Sequence, residues 1–115
     1  MRVLVCGGRN FNDTALAYRT LDRVHRERMI GVVIEGDAPG ADRIAGYWAR
    51  RNHIDDLKFK ADWKTHGNAA GPIRNARMIS EGRPNLVVAF AGGRGTADMV
   101  ARAKAAGVKV IEVGQ

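Results

Sequence analysis

The stretch Leu86-Val87-Val88-Ala89-Phe90-Ala91-Gly92-Gly93-Arg94-Gly95-Thr96 decides the fold. Its first five residues are a continuous apolar run with two β-branched valines, the pattern of a strand buried on both faces of a parallel sheet. Gly92, Gly93 and Gly95 then turn the chain tightly, and Thr96 is placed to cap a following helix. Ala97, Val100, Ala101 and Ala105 recur at helical spacing beyond the turn, and Gly107 stands where a C-terminal cap glycine belongs. A strand running through a glycine turn into a helix is half of a βαβ unit.

The same alternation extends outward in both directions. Val3-Leu4-Val5-Cys6 and Val32-Val33-Ile34 are further continuous apolar runs, and Leu57-Lys58-Phe59 and Val108-Lys109-Val110-Ile111 alternate as edge strands do. Between them, Leu21 and Val24 mark a first helix that Asp13 or Thr14 caps. Ala41, Ile44, Ala45 and Trp48 form the stripe of a second, and Pro72 opens a third running to about Ser80 with Ile73, Ala76 and Ile79 inward. The segment from Ala61 to Gly71 reads as an irregular loop, which in a chain of this size points to function. Five strands alternating with four helices predict one Rossmann-like α/β domain over residues 1–115. It is a three-layer sandwich on a mostly parallel five-stranded sheet of order 3-2-1-4-5.

Composition agrees. The chain has 115 residues, 45% hydrophobic and 27% charged, with nineteen Lys and Arg against twelve Asp and Glu, a formal charge of +7. That balance suits anionic partners, although Arg19, Arg23, Arg26 and Arg28 crowd one helix and read equally as a solvated face. One cysteine excludes an internal disulfide or a cysteine-rich zinc site. His25, His53 and His66 have no metal-ligand spacing, and no Ser-His-Asp or Cys-His arrangement is suggested. No apolar run reaches the ~20 residues of a membrane span, and the N-terminus lacks a signal peptide, so a cytoplasmic location is expected.

In an open α/β sheet, ligands bind beyond the carboxyl ends of the strands where the strand order reverses, here between the first and fourth strands. Both run into glycine turns, Gly7-Gly8-Arg9 and Gly92-Gly93-Arg94-Gly95-Thr96, and the second strand ends in Gly36-Asp37-Ala38-Pro39-Gly40-Ala41-Asp42. The 92–96 turn at a helix N-terminus has the makings of a phosphate cradle, to which Arg94 adds a charge. Neither a Walker A lysine pattern nor a G-x-G-x-x-G after the first strand is present, so ATP and dinucleotide cofactors are not implied.

Gly-Gly-Arg-Gly-Thr-Ala-Asp at 92–98 resembles the G-G-x-G-T turn of the SLOG superfamily. That superfamily includes the LOG-type nucleoside-monophosphate phosphoribohydrolases and the DprA/Smf DNA-processing proteins. The resemblance is greatest to its small YspA-like members. It is carried by Gly-Gly-Arg at 7–9, Gly-Ala-Asp-Arg-Ile-Ala at 40–45, Trp48-Ala49, Ala-Asp-Trp at 61–63, Gly67, Ala-Gly-Pro-Ile-Arg-Asn at 70–75 and Met78. The resemblance implies binding of a nucleotide or nucleotide-derived ligand, for sensing or sequestration, and a tendency to form homo-oligomers. LOG-like N-glycosidic hydrolysis and DprA-like single-stranded DNA binding are the alternatives. The expected ligand residues are Gly7, Gly8, Arg9, Gly36, Asp42, Arg74, Asn75, Gly92, Gly93, Arg94, Gly95 and Thr96. If the chain is an enzyme, Asp98 and Arg74 carry the chemistry. LOG enzymes place a glutamate two positions after the threonine, where this chain has the shorter Asp98. Asp37 and Pro39 stand where the YspA-like pattern prefers glycine and arginine.

Overall fold

A computed structural model describes residues 1–114. Five strands alternate with helices: β1 (Arg2–Cys6), α1 (Thr14–Arg28), β2 (Val32–Glu35), α2 (Ala41–Arg51), β3 (Asp55–Lys58), α3 (Trp63–His66), α4 (Ala70–Ser80), β4 (Leu86–Ala89), α5 (Arg94–Ala105) and β5 (Lys109–Glu112). All four strand pairings are parallel, in the order β3-β2-β1-β4-β5. This is the predicted Rossmann-like order, with its reversal between β1 and β4.

The period of two in β1 builds both halves of the core. Val3 and Val5 face a layer formed by Ala17, Leu21 and Val24 of α1 and Ala45 and Trp48 of α2. Leu4 and Cys6 face Met78 of α4 and Met99, Val100 and Ala103 of α5. The central strands are apolar apart from Arg2 and Glu35 at their ends, because both faces are covered. The edge strands β3 and β5 are largely solvated, hence their alternation. Asp13 caps α1 by accepting the Leu16 N–H at 3.0 Å. Gly107, at φ +75°, ends α5 in the left-handed region. The Trp48 indole N–H is satisfied by Asp22 at 2.8 Å, so this tryptophan is core.

Three helical details depart from the sequence reading. The buried stripe of α5 is Thr96, Met99, Val100 and Ala103; Ala97, Ala101 and Ala105 are exposed. The helix is turned by about one residue because Met99 and Val100 fill the core where alanines would leave space. In α4, Ile73 is exposed while Asn75 and Met78 are buried, because the inner side of α4 packs against α5 and supplies polar partners there. The segment 61–71 is not irregular. Asp62 caps the single turn α3 through the Thr65 N–H at 3.1 Å. Gly67 breaks it at φ +54°, and a 3-10 turn (Gly67–Ala69) leads directly into α4.

Candidate functional site

Glycines let the turns after β1, β2 and β4 close on one another. The Gly8 N–H donates to the Ala91 carbonyl at 2.8 Å, and the Gly8 carbonyl accepts from the Ala41 N–H at 3.3 Å. Gly8 thus ties the β4 turn to the start of α2. A Cβ on Gly7 would lie 2.6 Å from the Ala41 Cβ, so α2 approaches the sheet because Gly7 has no side chain. Beyond this junction opens a cleft of about 740 Å³, within the range of small-molecule sites. Every ligand residue expected from sequence lines it except Gly92, and so does Asp98.

The β4 turn presents backbone. Gly93 is the N-cap residue of α5 and no side chain caps the helix. The first N–H groups of an α-helix have no partner within it, and the dipole makes that end positive. Apart from chain neighbours and the backbone of α5, no heavy atom lies within 4 Å of where a Cβ would stand on Gly93 or Gly95. The predicted capping role of Thr96 is corrected: it is the third residue of α5 and its side chain turns inward. A Cβ on Gly92 would overlap the Thr96 Oγ1 and lie 2.7 Å from the Gly8 nitrogen. Gly92 therefore lies against Thr96 and Gly8, where a side chain has no room, while Gly93 and Gly95 line the cleft.

Arg74 and Asp98, the two residues expected to carry any chemistry, share the cleft and are linked through Asn75. Arg74 donates through Nη1 to the Gly36 carbonyl at 2.8 Å and through Nε to Asn75 Oδ1 at 3.0 Å. It thereby joins α4 to the β2 turn. The buried Asn75 amide donates to the Gly95 carbonyl at 3.1 Å and to Asp98 Oδ2 at 3.0 Å, and Arg102 Nε reaches the same oxygen at 2.9 Å. Asp42, buried at the start of α2, accepts the Ala38 N–H at 3.3 Å. Burial raises its carboxyl to about 6 against the pull of Arg74 and the turn amides. Cys6 beneath the cleft is a buried thiol, pushed up to about 12 by burial and by Asp42 and Glu112.

The sequence reading did not single out Glu35, Asp56 and Lys58, which support the β2 turn. Glu35 Oε1 accepts the Asp37 N–H, and Lys58 Nζ donates to Glu35 Oε2, each at 2.5 Å; Asp56 Oδ2 lies 3.1 Å from Lys58 Nζ. Asp37 is thereby held at φ +54°. Gly46 of α2 leaves room for both acids, since a Cβ there would lie 2.9 Å from each. The signal was present: Glu35 closes an apolar run, and the register sets Lys58 directly opposite it. One ammonium faces three carboxylates, since Asp37 Oδ1 also lies 3.7 Å from Lys58 Nζ. Burial pushes Glu35 to about 7, and the neighbouring Asp56 adds to this against the Lys58 hydrogen bond. Burial pulls the Lys58 ammonium down, but its hydrogen bonds to Glu35 and Asp56 outweigh that and hold it above its ordinary value.

These shifts give a pH prediction. Glu35 and Asp42 have folded values above their unfolded ones, so the native state binds more protons between about pH 4 and 7. Their contribution is complete below the unfolded values and is lost as pH rises through about 6 and 7. Lowering the pH from 8 to 5 should therefore stabilise the fold by up to about 4 kcal/mol, read as a rise in melting temperature. Glu35→Gln should flatten the part of that curve near pH 7. A melting temperature independent of pH over this window would show that neither acid carries a proton in the native state.

Comparison with known proteins agrees with this architecture. The X-ray structure of DNA processing protein A (DprA) from Streptococcus pneumoniae superposes with a TM-score of 0.77 at 19% identity, over 96% of this chain and 49% of that one. The chain thus spans about half of that protein and shares its fold. The Gene 61 protein of Mycobacterium phage D29 is 37% identical over 121 aligned positions, covering 98% of this chain and 96% of that relative. Residues 1–66, which hold the β1 and β2 turns and the start of α2, match the model of the YspA, cpYpsA-related SLOG family. With that match over more than half its length and a full-length relative above 30% identity, the chain belongs to the YspA, cpYpsA-related SLOG family.

Proposed function

We propose that the chain binds a nucleotide or nucleotide-derived ligand, with a phosphate seated on the 93–96 turn and Arg74 and Arg94 beside it. The observation that carries this reading is the uncapped N-terminus of α5, with open space at Gly93 and Gly95, facing a cleft into which three glycine turns converge. Family membership and the DprA-like fold support a nucleotide- or DNA-related role. The test is thermal stabilisation by a panel of nucleoside mono- and diphosphates, which a ligand selective for the native state must produce. No shift with any member, at millimolar concentration, would remove this reading.

The binding role is favoured over N-glycosidic hydrolysis by the state of Asp98. Its Oδ2 takes both the Asn75 amide and the Arg102 guanidinium, so its charge is already compensated. It is also one methylene shorter than the glutamate of LOG enzymes, and misplacement by about 1 Å can cost about a hundredfold in rate. Base release from nucleoside 5′-monophosphates should therefore stay near background, and Asp98→Asn should leave nucleotide affinity within about twofold. Robust wild-type turnover that vanishes in Asp98→Asn would promote the hydrolase reading.

A second reading, binding of single-stranded nucleic acid, is supported by α1. Arg19, Arg23 and Arg26 are exposed at i, i+4 and i+7, flank a shallow groove, and take no part in the ion pairs among the described residues. Salt-sensitive retention on single-stranded DNA, lost when all three become alanine, would establish it.

A further inference from the structure

Trp63 is the large apolar side chain that is both exposed and part of the cleft wall. Met29, Tyr47, Leu57 and Ile73 are exposed as well but lie elsewhere. A little over half of the Trp63 surface is open to solvent, at 52%. Its position is fixed from two directions. The Asp62 carboxylate caps the turn that carries it, and hydrogen bonds from the Thr65 hydroxyl and amide hold that carboxyl below its ordinary range. The far edge of the indole, at Cη2, lies 3.5 Å from where a Cβ on Gly71 would stand, so the ring rests against the first turn of α4. A tryptophan that only packed the segment down would turn its face inward, yet this one remains at the mouth of a cleft. The same cleft carries Arg9, Arg74 and Arg94 and the open α5 turn. A ligand complementary to it is anionic at one end and flat and apolar at the other.

We infer that the indole face of Trp63 is the stacking platform for a nucleobase. The cleft would then select nucleotides over sugar phosphates, with the base at the rim formed by α3 and α4 and the phosphate at α5. This inference rests on the phosphate reading above and deepens it by naming the group that recognises the base. Every base has a π-face, so stacking favours bases as a class, and the larger purine ring covers more of the indole than a pyrimidine.

Intrinsic fluorescence and calorimetry test this together, because the other tryptophan, Trp48, is buried and hydrogen-bonded to Asp22 and so shielded from ligand. The probes are AMP, GMP, CMP, UMP and ribose 5-phosphate, titrated into the wild type, Trp63→Ala and Trp63→Phe. In the wild type, AMP or GMP should quench emission and bind about tenfold or more tightly than ribose 5-phosphate, the scale of one base–aromatic stack. Trp63→Ala should bring the nucleotides down to the ribose 5-phosphate level while leaving ribose 5-phosphate itself unchanged. Trp63→Phe should retain most of the nucleotide affinity without the quench. Equal wild-type affinities for ribose 5-phosphate and all four nucleotides would overturn the platform while leaving the phosphate reading intact. Nucleotide binding undiminished in Trp63→Ala would do the same. Binding of none of the five probes would remove both.

Discussion

Gly93→Val is expected to lower nucleotide affinity by about tenfold to a hundredfold while the protein still folds. Two observations separate the effects. Gly93 has a negative φ, −106°, so it does not depend on the left-handed freedom of glycine, and apart from its chain neighbours no heavy atom lies within 4 Å of the new Cβ. The loss of stability should therefore be smaller than the loss of affinity. The space that the isopropyl group fills is the space above the first N–H groups of α5, where a phosphate oxygen must come within hydrogen-bonding distance of backbone. Losing one charge-assisted bond costs about 1.5–3 kcal/mol, which is about tenfold to a hundredfold in affinity. Gly92→Ala is the contrasting variant. Its Cβ would overlap the Thr96 hydroxyl and crowd the Gly8 nitrogen, so it should lower stability first and affinity only as a consequence. Calorimetric titration of both variants with AMP, set beside their melting curves, distinguishes the two glycines. A folded Gly93→Val protein that binds AMP as tightly as wild type would remove the backbone cradle from the account.

The sequence disclosed the sheet almost completely, because burial on both faces leaves β1, β2 and β4 apolar apart from Arg2 and Glu35 at strand ends and exposes β3 and β5 as alternating edges. Strand order followed from chirality and alternation. The phase of the helices was less legible. In α5 the alanines repeat at helical spacing as well as Met99 and Val100 do, and only the volume available in the core decides which stripe turns inward. In α4 the inward side carries Asn75, which a hydrophobic pattern cannot anticipate because its partners, the Gly95 carbonyl and Asp98, come from another helix. The glycine turns of the candidate site stood out because glycine is informative wherever backbone must approach backbone. Their division of labour did not, since Gly92 and Gly93 are identical letters with opposite surroundings. The Glu35–Lys58 support was hidden for a related reason. Its members are 23 positions apart in sequence and meet only through the register of β2 with β3.

Gly40 is where the largest loss of stability is expected. It sits at φ +85° and ψ −131°, immediately before α2, in a conformation that L side chains rarely adopt. A Cβ there would overlap the Gly8 carbonyl oxygen and lie 2.7 Å from the Arg9 carbonyl oxygen. Neither can retreat freely, because Gly8 is fastened to the β4 turn through Ala91 and to α2 through Ala41. Gly40→Ala therefore combines backbone strain, about 1–3 kcal/mol, with overpacking against main chain, about 1–3 kcal/mol more. Domains of this size are stable by about 5–15 kcal/mol, so the variant should still fold, but with a melting temperature lower by roughly 10–20 °C. Gly107→Ala supplies the control. Gly107 also has a positive φ, +75°, but nothing lies within 4 Å of its Cβ position. It should lose only the left-handed penalty, about 1–2 kcal/mol. The difference between the two variants isolates the contact at the junction of the three turns. Because the same junction sets the positions of Arg9 and Pro39 in the cleft, Gly40→Ala should weaken nucleotide binding even at temperatures where the protein is fully folded, whereas Gly107→Ala should not. Equal melting temperatures for the two variants would mean that the turns yield readily and that the cleft is not held open by their packing.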